Sequence, residues 1–132
     1  EVMLKIVNEG AKSDLPFSSA IIAGDLMFVS GQASIDPERG VIISGSFEEE
    51  MRRSIENLRS ILEAERLSLD NVINVKSYVA EQSDLAEYNK IYAEYFSAPL
   101  PTRSTIMGVL GTMLKFELDC IACVSTPRQQ AS

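Results

Sequence analysis

The sequence predicts one α+β domain, a β-sheet carrying two helices on one face. Three observations lead there. The chain has 132 residues and 45% apolar content, enough for one core and too little for two ordinary domains. Its patterned segments run strand, hairpin, helix, strand, helix, hairpin. Several strands carry adjacent apolar residues, such as Ile21 with Ile22 and Phe28 with Val29, which suits a sheet buried on both faces. With no third helix to cover the second face, self-association into a closed symmetric assembly is the expected solution.

The elements follow in order. Leu4 to Val7 reads as a short strand, and the polar stretch Asn8 to Asp14 leads to Leu15, Pro16 and Phe17. Ser19 to Ala23 and Leu26 to Ser30 form a hairpin about Gly24 and Asp25, after which Gly31 and Gln32 are expected to leave the strand. Asp36, Pro37, Glu38, Arg39 and Gly40 make a turn cluster. Ser46 with Glu49 is a capping box, and Phe47, Met51, Ile55, Leu58, Ile61 and Leu62 recur at helical spacing behind it. Val72 to Val79 is β-branched and reads as a strand.

Ser83 is a second candidate cap, for a helix from Asp84 to about Phe96 that Pro99 and Pro101 end. Its Tyr88, Tyr92 and Tyr95 read as packing residues. Thr102 to Met107 and Leu114 to Val124 are expected to pair as an antiparallel hairpin, with Gly108 and Gly111 near the bend. Residues 4–124 form the expected core of the single domain, and 125–132 a loose tail.

Composition excludes several functions. The net charge is −7 and there is no basic run, which disfavours nucleic acid. Histidine is absent, removing the commonest general base and zinc ligand. Apolar runs fall far short of the roughly 20 residues that span a bilayer, so no membrane is expected. Cys120 and Cys123 form a C-x-x-C, but in a strand residues three apart face opposite ways, so both read as buried structural thiols. The chain starts at Glu1 rather than Met, which leaves open a targeting segment ahead of it; a cytoplasmic location is the expectation.

Chemistry concentrates near the end of the chain. A hairpin centred near Leu110 sets Arg103 opposite Glu117. Two readings fit that pair: an arginine fork gripping a substrate carboxylate while the glutamate handles water or a proton, or a plain cross-strand salt bridge.

Five features, in this order and spacing, form a pattern: Pro16 with an aromatic at 17, Val29-Ser30-Gly31-Gln32, Asn89 with Tyr92, Pro101-x-Arg103-Ser104, and Phe116-Glu117-Leu118-Asp119. From about Leu15 to Val124 the chain resembles the RidA/YjgF family of reactive-intermediate deaminases, also labelled endoribonuclease L-PSP. The resemblance implies a chorismate-mutase-like fold, with a six-stranded mixed sheet, two helices on one face, and a homotrimer enclosing a central barrel. It implies hydrolysis of 2-enamino or 2-imino acids to 2-oxo acids and ammonia in clefts between subunits, with neither metal nor organic cofactor. By the same resemblance, Arg103 binds the substrate carboxylate, Glu117 activates water, and Phe17, Ser30, Gly31, Asn89 and Thr105 line the pocket.

Other readings stand beside these. Ser30 and Gly31 also suit a strand exit, Asn89 a solvated helix position, and Phe17 a satellite core residue. Phe17 replaces a common Tyr, Thr105 a frequent Cys, and the 103–117 segment is one residue shorter than usual. These departures bear on substrate more than on fold. A deaminase of another enamine, such as an aminomuconate-type intermediate, and a non-catalytic ligand-binding trimer remain alternatives; ribonuclease activity fits the charge poorly.

Overall fold

The computed structural model describes residues 2–129. Its elements are β1 (Leu4–Val7), β2 (Ala20–Ala23), β3 (Leu26–Ala33), α1 (Phe47–Ala64), β4 (Val72–Val79), α2 (Leu85–Tyr95), β5 (Thr102–Met107) and β6 (Phe116–Cys123). The six strands form one mixed sheet in the order β1-β2-β3-β6-β4-β5.

The capping box forms as expected. Ser46 Oγ accepts from Glu49 N–H at 3.1 Å, and Glu49 Oε1 accepts from Ser46 N–H at 2.9 Å. Phe47, Met51, Ile55, Leu58, Ile61 and Leu62 are all buried along one stripe of α1. Both helices lie on one sheet face, since the Phe116 ring meets Phe47 of α1 and Tyr88 of α2, each with ring centroids 6.0 Å apart.

The start of α2 differs from expectation. Ser83 lies within a 3₁₀ turn over Gln82–Asp84, and the N-cap is Asp84, which makes no side-chain cap bond. Asp84 N–H donates to Glu81 O and Leu85 N–H to Gln82 O, so tight i to i+3 bonds occupy donors that a capping hydroxyl would otherwise take.

The expected terminal hairpin does not form. β5 runs parallel to β4, whereas β6 lies between β3 and β4, antiparallel to both. The reason lies in composition and in the intervening helix. Phe116, Leu118, Cys120 and Ala122 are wholly apolar on one face and belong in the middle of the sheet, whereas the polar run Thr102 to Thr105 suits an edge. β4, α2 and β5 thus make a crossover unit, which requires parallel strands.

Two smaller expectations also change. β3 continues through Gly31 and Gln32 to Ala33, with its register shifted between Val29 and Gln32. The tail is not loose at Arg128, whose guanidinium donates to the carbonyls of Leu69 (2.7 Å), Val72 (2.6 Å), Ser97 (3.2 Å) and Pro99 (2.6 Å). Residues 130–132 of the expected loose tail lie outside the described residues. Cys120 is buried among the core side chains as expected, but Cys123 is only half-buried, because the alternation of β6 turns it to the open face of the sheet.

The face away from the helices is apolar and open. Ile6, Ile21, Phe28 and Ile121 are register partners in turn across β1, β2, β3 and β6. Ile6 is 61% exposed and Phe28 45%, with Leu4 at 68% beside them. Among the described residues, no helix is long and apolar enough to cross a membrane.

A buried carboxylate anchors the entry to β6. Glu50, only 1% exposed, accepts from the backbone N–H of Gly45 and Lys115 at 3.2 and 3.0 Å and from Lys115 Nζ at 3.1 Å. Glu50→Leu removes the acceptor for two backbone donors and should lower stability by roughly 2–3 kcal/mol. Urea denaturation checks this, and an unchanged midpoint would count against the anchoring role.

Candidate functional site

A bulge builds the first half of the site. Where β3 shifts register after Val29, Gly31 comes against Glu117, and a Cβ on Gly31 would lie 2.8 Å from Glu117 Oε2. Only glycine allows so close an approach of carboxylate to backbone. The two residues sit in a cleft of about 480 Å³ lined also by Lys12, Phe17, Ser30 and Leu114. Phe17 is half exposed and walls the cleft, while Ser30 Oγ donates to Ser18 O at 2.6 Å and so fixes the approach to β2.

The electrostatics of this half suit a proton acceptor. Burial, followed by the nearby Asp119, raises the Glu117 carboxyl above its ordinary value of 4.5. Among the described residues its carboxylate accepts no hydrogen bond, so nothing there offsets desolvation of the charge. Asp119 is otherwise engaged: it accepts from Tyr78 Oη at 2.8 Å and pairs with Lys76 Nζ at 3.8 Å. The hydrogen bond to Asp119 is the main reason that the Tyr78 phenol is pushed up to about 12.

The second half lies on β5 and α2. The Arg103 guanidinium carbon is 4.7 Å from the ring centroids of both Tyr88 and Tyr92. Such stacking holds the cation through the ring quadrupoles while leaving its N–H fork free. Among the described residues that fork makes no hydrogen bond or ion pair. Thr105, two residues on, shares a hydrogen bond of 2.9 Å with Tyr88 Oη. Asn89 is exposed on α2.

The two halves do not meet within one chain. Arg103 is the register partner of the buried Val75, which sets it on the helix side of the sheet. Glu117 falls between the buried Phe116 and Leu118 and therefore points the other way, with Tyr78 and Ala33 as partners. The expected facing pair of Arg103 and Glu117 is thus corrected, and so is its plain reading as a cross-strand salt bridge. Phe17, Ser30, Gly31 and Glu117 are brought together; Arg103, Thr105 and Asn89 are not brought to them.

Sequence reasoning does not single out Lys12, a cleft residue, and for Tyr88 it gives the buried ring but not the partner of its hydroxyl. Lys12 is fixed where its N–H donates to Pro37 O at 3.1 Å. Gly40, at φ +72°, passes so close that a Cβ would lie 2.6 Å from Lys12 O. The turn glycine was visible in the sequence, but its partner was not. Tyr88 was visible only as one of three tyrosines at helical spacing.

Comparison with known proteins places this geometry. The sequence profile of the family described as Endoribonuclease L-PSP matches residues 9–124. A RutC family protein of Pyrococcus horikoshii is 42% identical over 108 residues, covering 81% of this chain and 86% of the relative. The 2-iminobutanoate/2-iminopropanoate deaminase of Mus musculus is 31% identical over 108 residues, covering 81% and 80%. Reactive Intermediate Deaminase A of Arabidopsis thaliana is 37% identical, covering 81% of this chain and 58% of that longer protein.

Among solved structures, yeast Mmf1 superposes with a TM-score of 0.83 at 28% identity, covering 92% and 98% of the two chains. Escherichia coli TdcF with bound serine gives 0.81 at 28% identity, covering 90% and 98%. A match of this extent in sequence, joined to the same sheet and helices, means that the chain belongs to the endoribonuclease L-PSP family, the RidA/YjgF family, which includes imine deaminases.

Proposed function

We propose that this protein is a cofactor-free deaminase that hydrolyses 2-imino and 2-enamino acids to 2-oxo acids and ammonia in clefts between subunits of a homotrimer. The observation that carries the reading is an arginine fork on one side of the sheet and a desolvated carboxylate on the other, both unpaired among the described residues. Only a second copy can bring such groups together, and the uncovered row Ile6, Ile21, Phe28 and Ile121 supplies apolar surface to bury on assembly. Relatives named as imine deaminases support the same chemistry.

Arg103 of one subunit holds the substrate carboxylate through paired N–H bonds. Glu117 of its neighbour takes a proton from a water whose oxygen bonds to the imine carbon. Glu117 returns that proton to nitrogen, giving a carbinolamine; it then takes the carbinolamine hydroxyl proton and passes it to the same nitrogen, so that C=O forms as the C–N bond breaks, ammonia leaves and the 2-oxo acid remains. Phe17 walls the pocket, Ser30 and Gly31 present backbone beside the reacting carbon, and Asn89 and Thr105 border the arginine side.

Release of ammonia and 2-oxo acid from imines made in situ by an amino-acid oxidase tests the reaction. Arg103→Ala should lower kcat/KM by about 10- to 100-fold and Glu117→Gln by about 100-fold or more. When the two variants are mixed and reassembled, about a quarter of the wild-type rate should return, because a shared site draws each half independently. No recovery would place both groups in one subunit's site; no wild-type acceleration would leave a ligand-binding assembly.

Gly31→Ala should push the mobile end of Glu117 aside rather than disturb the fold. Its melting temperature should stay within a degree or two, while kcat falls about 10- to 100-fold. Equal loss of both would show that Gly31 serves the fold alone.

The pH profile follows from the same contact. Burial raises the Glu117 carboxyl, and a neighbouring guanidinium opposes that rise. Removing the cation therefore moves the acid limb of kcat/KM in Arg103→Ala to higher pH, above 4.5, as measured on the residual activity. A limb left in place would mean that the two groups never meet.

A further inference from the structure

We infer that Tyr88 is a positioning residue that turns the Thr105 hydroxyl into a donor for the substrate carboxylate, beside Arg103. The inference rests on the proposed reading of Arg103 as the carboxylate receptor, and it gives Tyr88 a role beyond packing.

The placement is specific. The Tyr88 side chain is 1% exposed, and its ring packs on Phe116 with centroids 6.0 Å apart. Phenylalanine would fill that space equally well. The hydroxyl instead ends 2.9 Å from Thr105 Oγ1, a side chain on the exposed edge strand. Arg103 stacks on the same ring, and as the i and i+2 residues of one strand Arg103 and Thr105 stand about 6.6 Å apart on the same face. A ligand carboxylate lying against the guanidinium therefore comes within reach of the threonine.

The hydrogen bond between the two hydroxyls can run either way. If Thr105 donates to Tyr88, it turns only lone pairs toward the site and repels an anion. If Tyr88 donates to Thr105, the threonine proton is free to meet a carboxylate oxygen. A bound carboxylate selects the second arrangement, and the phenol, a stronger acid than the threonine hydroxyl, favours donating. Because the Tyr88 ring is pinned between Phe116 and Arg103, the threonine is held in that role. The preference it creates is for substrates whose carboxylate lies flat between guanidinium and hydroxyl.

Titration of pyruvate, the simplest 2-oxo acid, into the assembled protein tests this together with steady-state imine hydrolysis. Tyr88→Phe and Thr105→Val should each weaken pyruvate binding about three- to tenfold and raise KM by the same factor with kcat retained. The double variant should be no weaker than Thr105→Val alone, and Thr105→Ser should bind like the wild type. Wild-type affinity in Tyr88→Phe, or losses that multiply in the double variant, would overturn the inference. Binding that Arg103→Ala abolishes but Tyr88→Phe leaves intact defeats this inference alone. Failure of the wild-type protein to bind pyruvate defeats it together with the reading of Arg103.

Discussion

The alternation of β6 is the constraint on which the rest depends. Phe116, Leu118, Cys120 and Ala122 all turn into the core, and Phe116 is touched by both helices. A strand buried so thoroughly on one side cannot slip by one residue, because every apolar side chain would move to the open face. Glu117 is therefore fixed outward, and Lys115, two residues before it and held by Glu50, fixes where the strand begins. The position of the candidate base is a consequence of core packing rather than of any contact it makes itself.

β5 has the opposite character. It lies at the sheet edge with a ladder to β4 alone, and the residues of its first two-thirds are exposed. What steadies Arg103 there is the pair of tyrosine rings of α2, with cation–π contacts worth about 0.5–2 kcal/mol depending on solvation. One candidate group thus sits on a central strand buried on one face and the other on a strand steadied by aromatic stacking and by the Arg128 anchor at Ser97 and Pro99, just ahead of it.

This difference explains what could be read in the sequence. The helix α1, the first hairpin and β4 rest on local signals such as a capping box, a Gly-Asp turn and a β-branched run, and the structure agrees with them closely. The pairing of β5 and β6 is non-local, and proximity in sequence suggested a hairpin where burial required separation. The apolar run of β6 and the polar run of β5 already contained the correct answer, because they suit the centre and the edge of a sheet. Phe17, Ser30, Gly31 and Glu117 gather as expected, while the arginine half was assigned to the wrong side through that one pairing error. Tyr88 packs in the core as its helical spacing predicts, but that spacing reports burial of the ring and says nothing about where its hydroxyl ends.

The division of the site across the sheet has a chemical logic. An arginine and a glutamate facing each other in a free chain would form an ion pair, occupying the fork and holding the carboxylate in its weakly basic form. Held on opposite faces, neither group can quench the other within one chain. The isolated chain also leaves its apolar sheet face in water, so the surface that favours association and the groups that association would join are controlled by the same strand alternation. On the proposed shared site, activity depends on assembly through geometry alone, and substitutions on the open face that weaken association would lower turnover without touching either candidate group.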